Sequence, residues 1–185
     1  MSKKTKGLII LLVSYLGAFA LGLASFLLLE DYVSVIMNLF IADVIATIYI
    51  WIIGIIFKTA SIYDPYWSVQ TVVIYVSLMI GFKSINLGNL LYLACILFWA
   101  IRLTYNFIRG FNDISYIDWR YAQIKEKTKK AYQLVSLIGI HLVPTIIVFI
   151  ASIASIPTIP TIPTIPTISS ILSIAPPPSF AIFFR

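Results

Sequence analysis

The first long uncharged stretch of the chain constrains its fold most. Residues 7–29 (GLIILLVSYLGAFALGLASFLLL) contain no charged side chain. At about 1.5 Å of rise per residue, a helix of this length crosses a hydrocarbon core of about 30 Å. The stretch is longer than the apolar region of a signal peptide, and acidic residues rather than a cleavage site follow it. We therefore predict a retained membrane-spanning helix.

Four further apolar segments follow the first, with short connections. We predict spans at about residues 33–57, 68–82, 88–108 and 134–153. Hydrophobic residues make up 61% of the chain and charged residues 11%, against roughly 45–50% and 25% in soluble domains. The prediction is an all-α, polytopic transmembrane helical bundle of about five spanning helices, with residues 1–153 as one membrane domain.

Positive charge is distributed unevenly between the two ends of these spans. One end has Lys3, Lys4, Lys6, Lys58, Arg102, Arg109, Arg120, Lys125, Lys127, Lys129 and Lys130, and the other has only Lys83 and Arg185. The positive-inside rule predicts that the first end, with the N-terminus, is cytosolic. The expected location is a bacterial inner membrane or an endoplasmic reticulum, with membrane lipid as a partner.

Composition excludes several classes of chemistry. The net charge of +6 is divided by apolar runs, so no basic face for nucleic acid is expected. A single cysteine, Cys95, excludes an intrachain disulfide, and a single histidine, His141, excludes a His-rich metal site. The glycine-rich phosphate motifs of soluble nucleotide-binding folds are missing. Any chemistry must use carboxylates, arginines, amides and tyrosines.

The chain changes character after the fifth predicted span. From Ile156 it reads IPTIPTIPTIPTI, and a proline at every third position prevents an α-helix and favours polyproline II. We predict a low-complexity tail over residues 154–185 that builds no packed core.

Asp43 is the one carboxyl group inside a predicted span. A charged group at this depth is costly unless it faces a polar interior, which makes Asp43 a candidate functional residue. Thr47 at i+4 and Gly54 at i+11 share its helix face. The alternative is that Asp43 forms a hydrogen bond to a neighbouring helix and only holds the bundle together.

Residues 61–69 (SIYDPYWSV) are predicted to form a loop with an Asp-Pro turn before the third span. Tyr63, Tyr66 and Trp67 match the aromatic belt found at membrane interfaces. The belt leaves Asp64 unexplained, because it requires no anionic side chain. A structural belt and a functional site therefore both remain open for this segment.

The end of the fourth predicted span carries a polar stripe. Arg102, Asn106 and Arg109 stand at i, i+4 and i+7 and therefore share one helix face, with Tyr105 beside them. The forked donors of two guanidinium groups match the oxygens of a phosphate or pyrophosphate. The competing interpretation is that both arginines anchor the helix at the interface.

Three stretches of the sequence resemble the steroid 5-alpha-reductase superfamily. They are IADVIATIYIW, KTASIYDPYWSV and FWAIRLTYNFIRGFNDISYIDWRY, in the family's order and spacing over about residues 40–150. The closest branch is a prokaryote-type group of multispanning proteins known only as a domain of unknown function. Members of the superfamily are membrane oxidoreductases that use NADPH to reduce a carbon–carbon double bond conjugated to a carbonyl in a lipid substrate.

The resemblance implies roles for individual residues. The residues implied to hold the NADP cofactor are Arg102, Tyr105, Asn106 and Arg109, together with Asp118, Arg120 and Tyr121 in the following loop. Asp43 would face the substrate carbonyl as a proton donor. The residues implied to line the catalytic site with it are Tyr63, Asp64, Tyr66 and Trp67. The expected substrate is a lipid-like or steroid-like small molecule.

The C-terminal part departs from the family pattern. Family members continue with further helices and an R-H-P-x-Y segment, which this sequence lacks, so we expect a truncated or frame-shifted chain with an incomplete NADPH site. A functional C-terminal module is the alternative. Other possible functions are a membrane S-adenosylmethionine-dependent methyltransferase of the isoprenylcysteine type and a non-catalytic small membrane protein. Substrate identity and oligomeric state are not predicted.

Overall fold

A computed structural model describes residues 1–155, and within this range every regular element is helical. The long helices are α1 (Lys3–Leu29), α2 (Val35–Ile56), α3 (Tyr63–Gly81) and α4 (Leu87–Gly110). A composite segment follows, made of α5 (Trp119–Thr128), a 3₁₀ turn (Lys129–Ala131), α6 (Tyr132–Val135), a π-helix (Ser136–Leu142) and α7 (Val143–Ser155). The all-α prediction is confirmed. The predicted tail lies outside the described residues apart from its first two positions.

Polar side chains set the starts of four helices. Ser2, Ser34, Asn86 and Asp118 accept hydrogen bonds from backbone N–H groups in the first turns of α1, α2, α4 and α5. Each such cap satisfies a donor that has no partner inside the helix and stabilises it by about 1 kcal/mol.

Helices α2 and α3 end in the same way. Lys58 and Lys83 follow their last turns with φ angles of 58° and 50°, in the left-handed region that glycine usually occupies. The N–H of Lys58 donates to the Ile55 carbonyl at 3.1 Å, and that of Lys83 donates to the Ile80 carbonyl at 3.0 Å. These bonds satisfy carbonyls that the helix leaves free and turn the chain sharply back.

Successive long helices run antiparallel, so the chain returns to the same two ends. Close packing joins α1 to α2, α2 to α3, and α3 to both α4 and α7. Tyr15 in α1 donates to the Ile62 carbonyl at 2.7 Å, and Thr59 donates to the Tyr116 carbonyl at 2.6 Å. These bonds place the start of α1, the α2–α3 connection and the α4–α5 connection at one end of the bundle.

We call this end the basic end because it carries most of the lysines and arginines of the described chain. They are Lys3, Lys4, Lys6, Lys58, Arg109, Arg120, Lys125, Lys127, Lys129 and Lys130. Lys83, Glu30 and Asp31 lie at the opposite end. The fold therefore separates the charges as the predicted sidedness requires.

Four helical segments are long and apolar enough to cross a membrane, as in a multi-pass membrane protein. They are α1, α2, α4 and the composite segment Trp119–Ser155. Their outer faces are apolar, with Leu28 and Phe98 exposed by 75% and 74%. An exposed apolar surface of this kind suits contact with lipid. Four of the five predicted spans are thus confirmed.

Helix α3 is the exception because polar residues make up a larger share of it than of the other long helices. It still runs the full height of the bundle, since Gly81 lies against Val35 at the start of α2. Its polar groups face neighbouring helices: Ser68 is 3.3 Å from the Thr104 hydroxyl, and Gln70 contacts α2. Packing against α2, α4 and α7 shields these polar groups. Helix α3 therefore does not need the apolar composition of the other long helices.

The predicted loop over residues 61–69 is wrong for most of its length, because α3 begins at Tyr63. Pro65 is the third residue of this helix. Proline is tolerated in a first turn because the N–H groups there have no acceptor within the helix. The connection between the fourth and fifth predicted spans likewise contains α5.

A π-helix interrupts the composite segment just before Pro144. Proline lacks an N–H and its ring collides with the carbonyl four residues earlier in an α-helix. The wider π turn over Ser136–Leu142 accommodates Pro144. Within it, His141 Nδ1 lies 2.9 Å from the Ser136 carbonyl oxygen.

Candidate functional site

A cavity of about 520 Å³ lies between α1, α2 and α3. Both α1 and α3 pack along α2, and they make few contacts with each other, so the cavity occupies the cleft between them. Most of its lining is aliphatic or aromatic, with Phe19, Phe26 and Ile74 as examples. At the basic end, the rings of Tyr15 and Tyr66 meet edge to face at 5.6 Å between centroids and close the cleft.

A carboxyl–amide pair forms the polar centre of this cavity. Gln70 Nε2 on α3 donates a hydrogen bond to Asp43 Oδ1 on α2. Asp43 is 7% exposed and Gln70 is 4% exposed. Asp43 Oδ2 and Gln70 Oε1 have no hydrogen-bond partner among the described residues. The pair therefore leaves two buried oxygen atoms without a partner beside a mostly apolar cavity.

Tyr66 and Asn38 are among the further polar side chains that line the same cavity. Tyr66 is 6% exposed and lies toward the basic end. Asn38 lies toward the opposite end, where its Nδ2 donates to the Phe26 carbonyl at 2.8 Å and its Oδ1 remains without a partner. The polar groups are thus spread along α2 and α3 on either side of the Asp43–Gln70 pair.

Tyr63 does not line this cavity. Its hydroxyl lies 2.8 Å from Thr145 Oγ1, which lies 3.0 Å from Thr47 Oγ1. Its ring packs against His141 with 4.7 Å between centroids. Tyr63 therefore ties α3 to α2 and α7, and its ring also packs against that of Tyr66 with 5.6 Å between centroids.

Asp64 belongs to a second cluster, at the basic end. The Tyr121 hydroxyl donates to Asp64 Oδ1 at 2.5 Å. Burial raises the pKa of Asp64 to about 6, although the hydrogen bond from Tyr121 opposes this shift. The cluster joins the start of α3 to α5, away from the apolar part of the cavity.

Asp118 and Arg120 form an ion pair beside this cluster. Arg120 Nε donates to Asp118 Oδ1 at 2.8 Å, and Arg120 Nη2 donates to Oδ2 at 3.1 Å. The hydrogen bond from Arg120 lowers the pKa of Asp118. The backbone N–H of Asp118 donates to Ser61 Oγ at 2.9 Å, which connects the pair to the α2–α3 connection.

The arginine stripe on α4 lies apart from the cavity. Its members Arg102, Tyr105, Asn106 and Arg109 are all exposed. The opposite face of α4 packs on α3, where the Thr104 hydroxyl lies 3.3 Å from the Ser68 hydroxyl. The Arg109 guanidinium stacks over the Tyr105 ring at 6.0 Å. The structure therefore brings the four stripe residues onto one face, as predicted, and does not join them to Asp43.

Comparison with known protein families gives one match. A family model described as "Protein of unknown function (DUF1295)" matches residues 50–174. The chain belongs to the DUF1295 family. The match covers α3, α4 and the Asp118–Tyr121 cluster of this DUF1295 protein and continues beyond Ser155, whereas α1 and Asp43 precede it. No curated protein and no solved structure matches the chain.

Gln70 is the site residue of the DUF1295 protein that the sequence did not single out. It directly follows the aromatic segment SIYDPYWSV, at the start of the span predicted from residue 68. A single amide at that position does not change the apolar character of the span. The available signal is an uncharged amide followed by the apolar run TVVIYV. An isolated amide in a membrane helix usually needs a partner on another helix, and here the partner is Asp43.

Proposed function

We propose that this DUF1295 protein is a membrane-embedded, NADPH-dependent reductase of a conjugated enone in a lipid-like or steroid-like substrate. The observation that carries the proposal is the buried Asp43–Gln70 pair inside an apolar cavity. Relatedness of the DUF1295 family to steroid 5-alpha-reductase-like proteins supports the reaction type.

The cavity favours a largely apolar substrate with few polar groups. Its volume of about 520 Å³ falls within the range of about 300–1,000 Å³ that is typical of small-molecule sites. Entry between α1 and α3 would let a lipid reach the site from the bilayer. A carbonyl on such a substrate would find its hydrogen-bond partner at Asp43.

The chain's own residues would supply the acid chemistry. A proton on Asp43 Oδ2 would be donated to the substrate carbonyl oxygen and would stabilise the negative charge that develops there. The Gln70 amide, by donating to Oδ1, fixes the carboxyl orientation so that Oδ2 remains free. The bound cofactor would supply the hydride.

The stripe on α4 fits the phosphates of such a cofactor. Arg102 and Arg109 form no ion pair with a described carboxylate, so both guanidinium groups keep donors for phosphate oxygens. Asn106 lies between them on the same exposed face. In the proposed protein these three residues would bind the cofactor phosphates.

The distribution of charge also supports an orientation. We place the basic end and the N-terminus in the cytosol of a bacterial inner membrane or at the cytosolic face of an endoplasmic reticulum, because lysine and arginine accumulate on the cytosolic side of spans.

Cofactor binding by the full chain in detergent tests the proposal. We expect NADPH to bind through the stripe, although the sequence predicts that the rest of its site is incomplete. Arg102→Ala and Asn106→Ala should weaken binding, by about tenfold for the arginine because a charge-assisted hydrogen bond is lost. Lys83→Ala, at the opposite end, is the matched control and should leave the affinity unchanged.

The alternatives give different results in the same assay. Binding of S-adenosylmethionine but not NADPH would indicate the methyltransferase. Failure to bind either cofactor would favour a non-catalytic membrane protein, in which the Asp43–Gln70 contact only joins α2 to α3.

A further inference from the structure

A second, smaller cavity lies at the basic end and plays no part in the proposed reduction. Its volume is about 70 Å³, and it lies between the end of α2, the α2–α3 connection and the composite segment. A buried water needs roughly 10–15 Å³ of such space. The cavity therefore has room for a group larger than one water, although not for a nucleotide or a lipid.

Two buried nitrogen atoms on the residues that line this cavity have no hydrogen-bond partner among the described residues. They are Trp51 Nε1 and His141 Nε2. Trp51 Nε1 can only donate. His141 is 1% exposed, and its Nδ1 lies 2.9 Å from the Ser136 carbonyl oxygen, so Nδ1 carries the proton and Nε2 accepts in the neutral ring.

The charge around the cavity is positive. Lys58 and Lys125 contribute to its lining, and no carboxylate lies among the lining residues. Buried unpaired polar groups are costly, and each specific case needs a partner that matches it. An anion that accepts from Trp51 and the lysines and donates to His141 would match these groups.

We propose that this cavity binds a phosphate group that carries a proton. Hydrogen phosphate or a protonated phosphate monoester has oxygens to accept from Trp51 and the lysines, and an O–H to donate to His141 Nε2. Sulfate has a similar shape and no proton at neutral pH, so it cannot make the last contact. The site is distinct from the stripe of Arg102, Asn106 and Arg109.

Thermal unfolding of the full chain in nonionic detergent at about pH 7 tests this site. Inorganic phosphate should raise the melting temperature in a saturable manner, because a ligand that binds only the folded state stabilises it. Trp51→Phe removes one donor and keeps the aromatic packing. For this variant, about tenfold more phosphate should be needed for the same rise in melting temperature. On the parent protein, sulfate should need a similarly raised concentration.

Lys58→Gln is a second variant in case Trp51→Phe unfolds, and it should weaken the response in the same direction. Lys83→Gln is its matched control, because Lys83 has the same backbone conformation at the opposite end of the bundle. An unchanged phosphate response in both Trp51→Phe and Lys58→Gln, or an equal response to sulfate, would overturn the assignment.

A lipid headgroup and a soluble compound can both supply such a phosphate group. The parent and Trp51→Phe proteins are therefore also compared in phosphatidylcholine bilayers with and without phosphatidic acid. If inorganic phosphate raises the melting temperature of the parent more than that of Trp51→Phe, the ligand is a soluble compound. If phosphatidic acid does so, the ligand is a lipid headgroup. No rise with either probe contradicts the proposal, whatever the result of the NADPH experiment.

Discussion

At the scale of single residues, one substitution at Asp43 distinguishes a catalytic role of the Asp43–Gln70 pair from a packing role. Asp43→Asn keeps the size of the side chain and its contact with α3, and removes the acidic proton. We expect kcat for enone reduction to fall by about 10²–10⁴, the usual contribution of a general acid, with NADPH affinity unchanged.

Ser77→Ala, in the same cavity wall, serves as a control for Asp43→Asn and should retain activity. An Asp43→Asn protein with full activity and a lower melting temperature would show that the pair only packs α2 against α3.

Asp118 has two separable roles, as an N-cap of α5 and as the partner of Arg120. Its pKa is lowered in the folded state, so the ionised form stabilises the protein above the unfolded pKa of about 3.9, and this contribution is lost as the pH falls below about 4. Asp118→Asn keeps the cap and removes the charge.

The expected loss for Asp118→Asn is at most about 1 kcal/mol at pH 7, because the pair is partly exposed. Unfolding midpoints of both proteins from pH 7 to pH 3 should converge at the acid end. A gap that persists at pH 3 would instead indicate a lost cap.

At the scale of helices, Gly54 allows α2 to end beside the start of α3. A Cβ atom at Gly54 would lie 2.8 Å from the Thr59 carbonyl oxygen, whereas one at Gly110 would meet nothing within 4 Å. We expect Gly54→Ala to destabilise the protein by about 1–3 kcal/mol, since backbone must move.

Gly110→Ala, at the end of α4, is the control for Gly54→Ala and should leave the melting temperature equal or slightly higher. Equal effects of the two substitutions would show that the α2 turn relaxes without cost.

The start of α3 shows why helix boundaries were harder to predict than helix positions. Asp64 and Pro65 are typical turn residues, and hydropathy places the apolar run after them. In the folded chain Tyr63 bonds to Thr145 and Asp64 bonds to Tyr121. These contacts come from residues more than 50 positions away in the sequence, so no local pattern could have shown them.

At the scale of the whole molecule, the antiparallel bundle makes opposite ends accessible from opposite sides of a membrane. In a Cys95→Ser background, Asn112→Cys lies at the basic end and Ile85→Cys lies in the α3–α4 connection. We expect a membrane-impermeant thiol reagent to label Ile85→Cys from outside intact cells and Asn112→Cys only in inverted vesicles. The reverse pattern would contradict the proposed orientation, and labelling of both from one side would contradict a full crossing.

The sequence by itself determined the membrane class, the helical architecture, the sidedness of charge and the common face of Arg102, Asn106 and Arg109. The length and composition of a segment and the 3.6-residue helical period involve only residues that are close together along the chain. The tertiary structure alone decided that Asp43 meets Gln70, that Tyr63 and Asp64 leave the cavity, and that Trp51 and His141 share a second one. Those partners lie on different helices, and only packing brings them together.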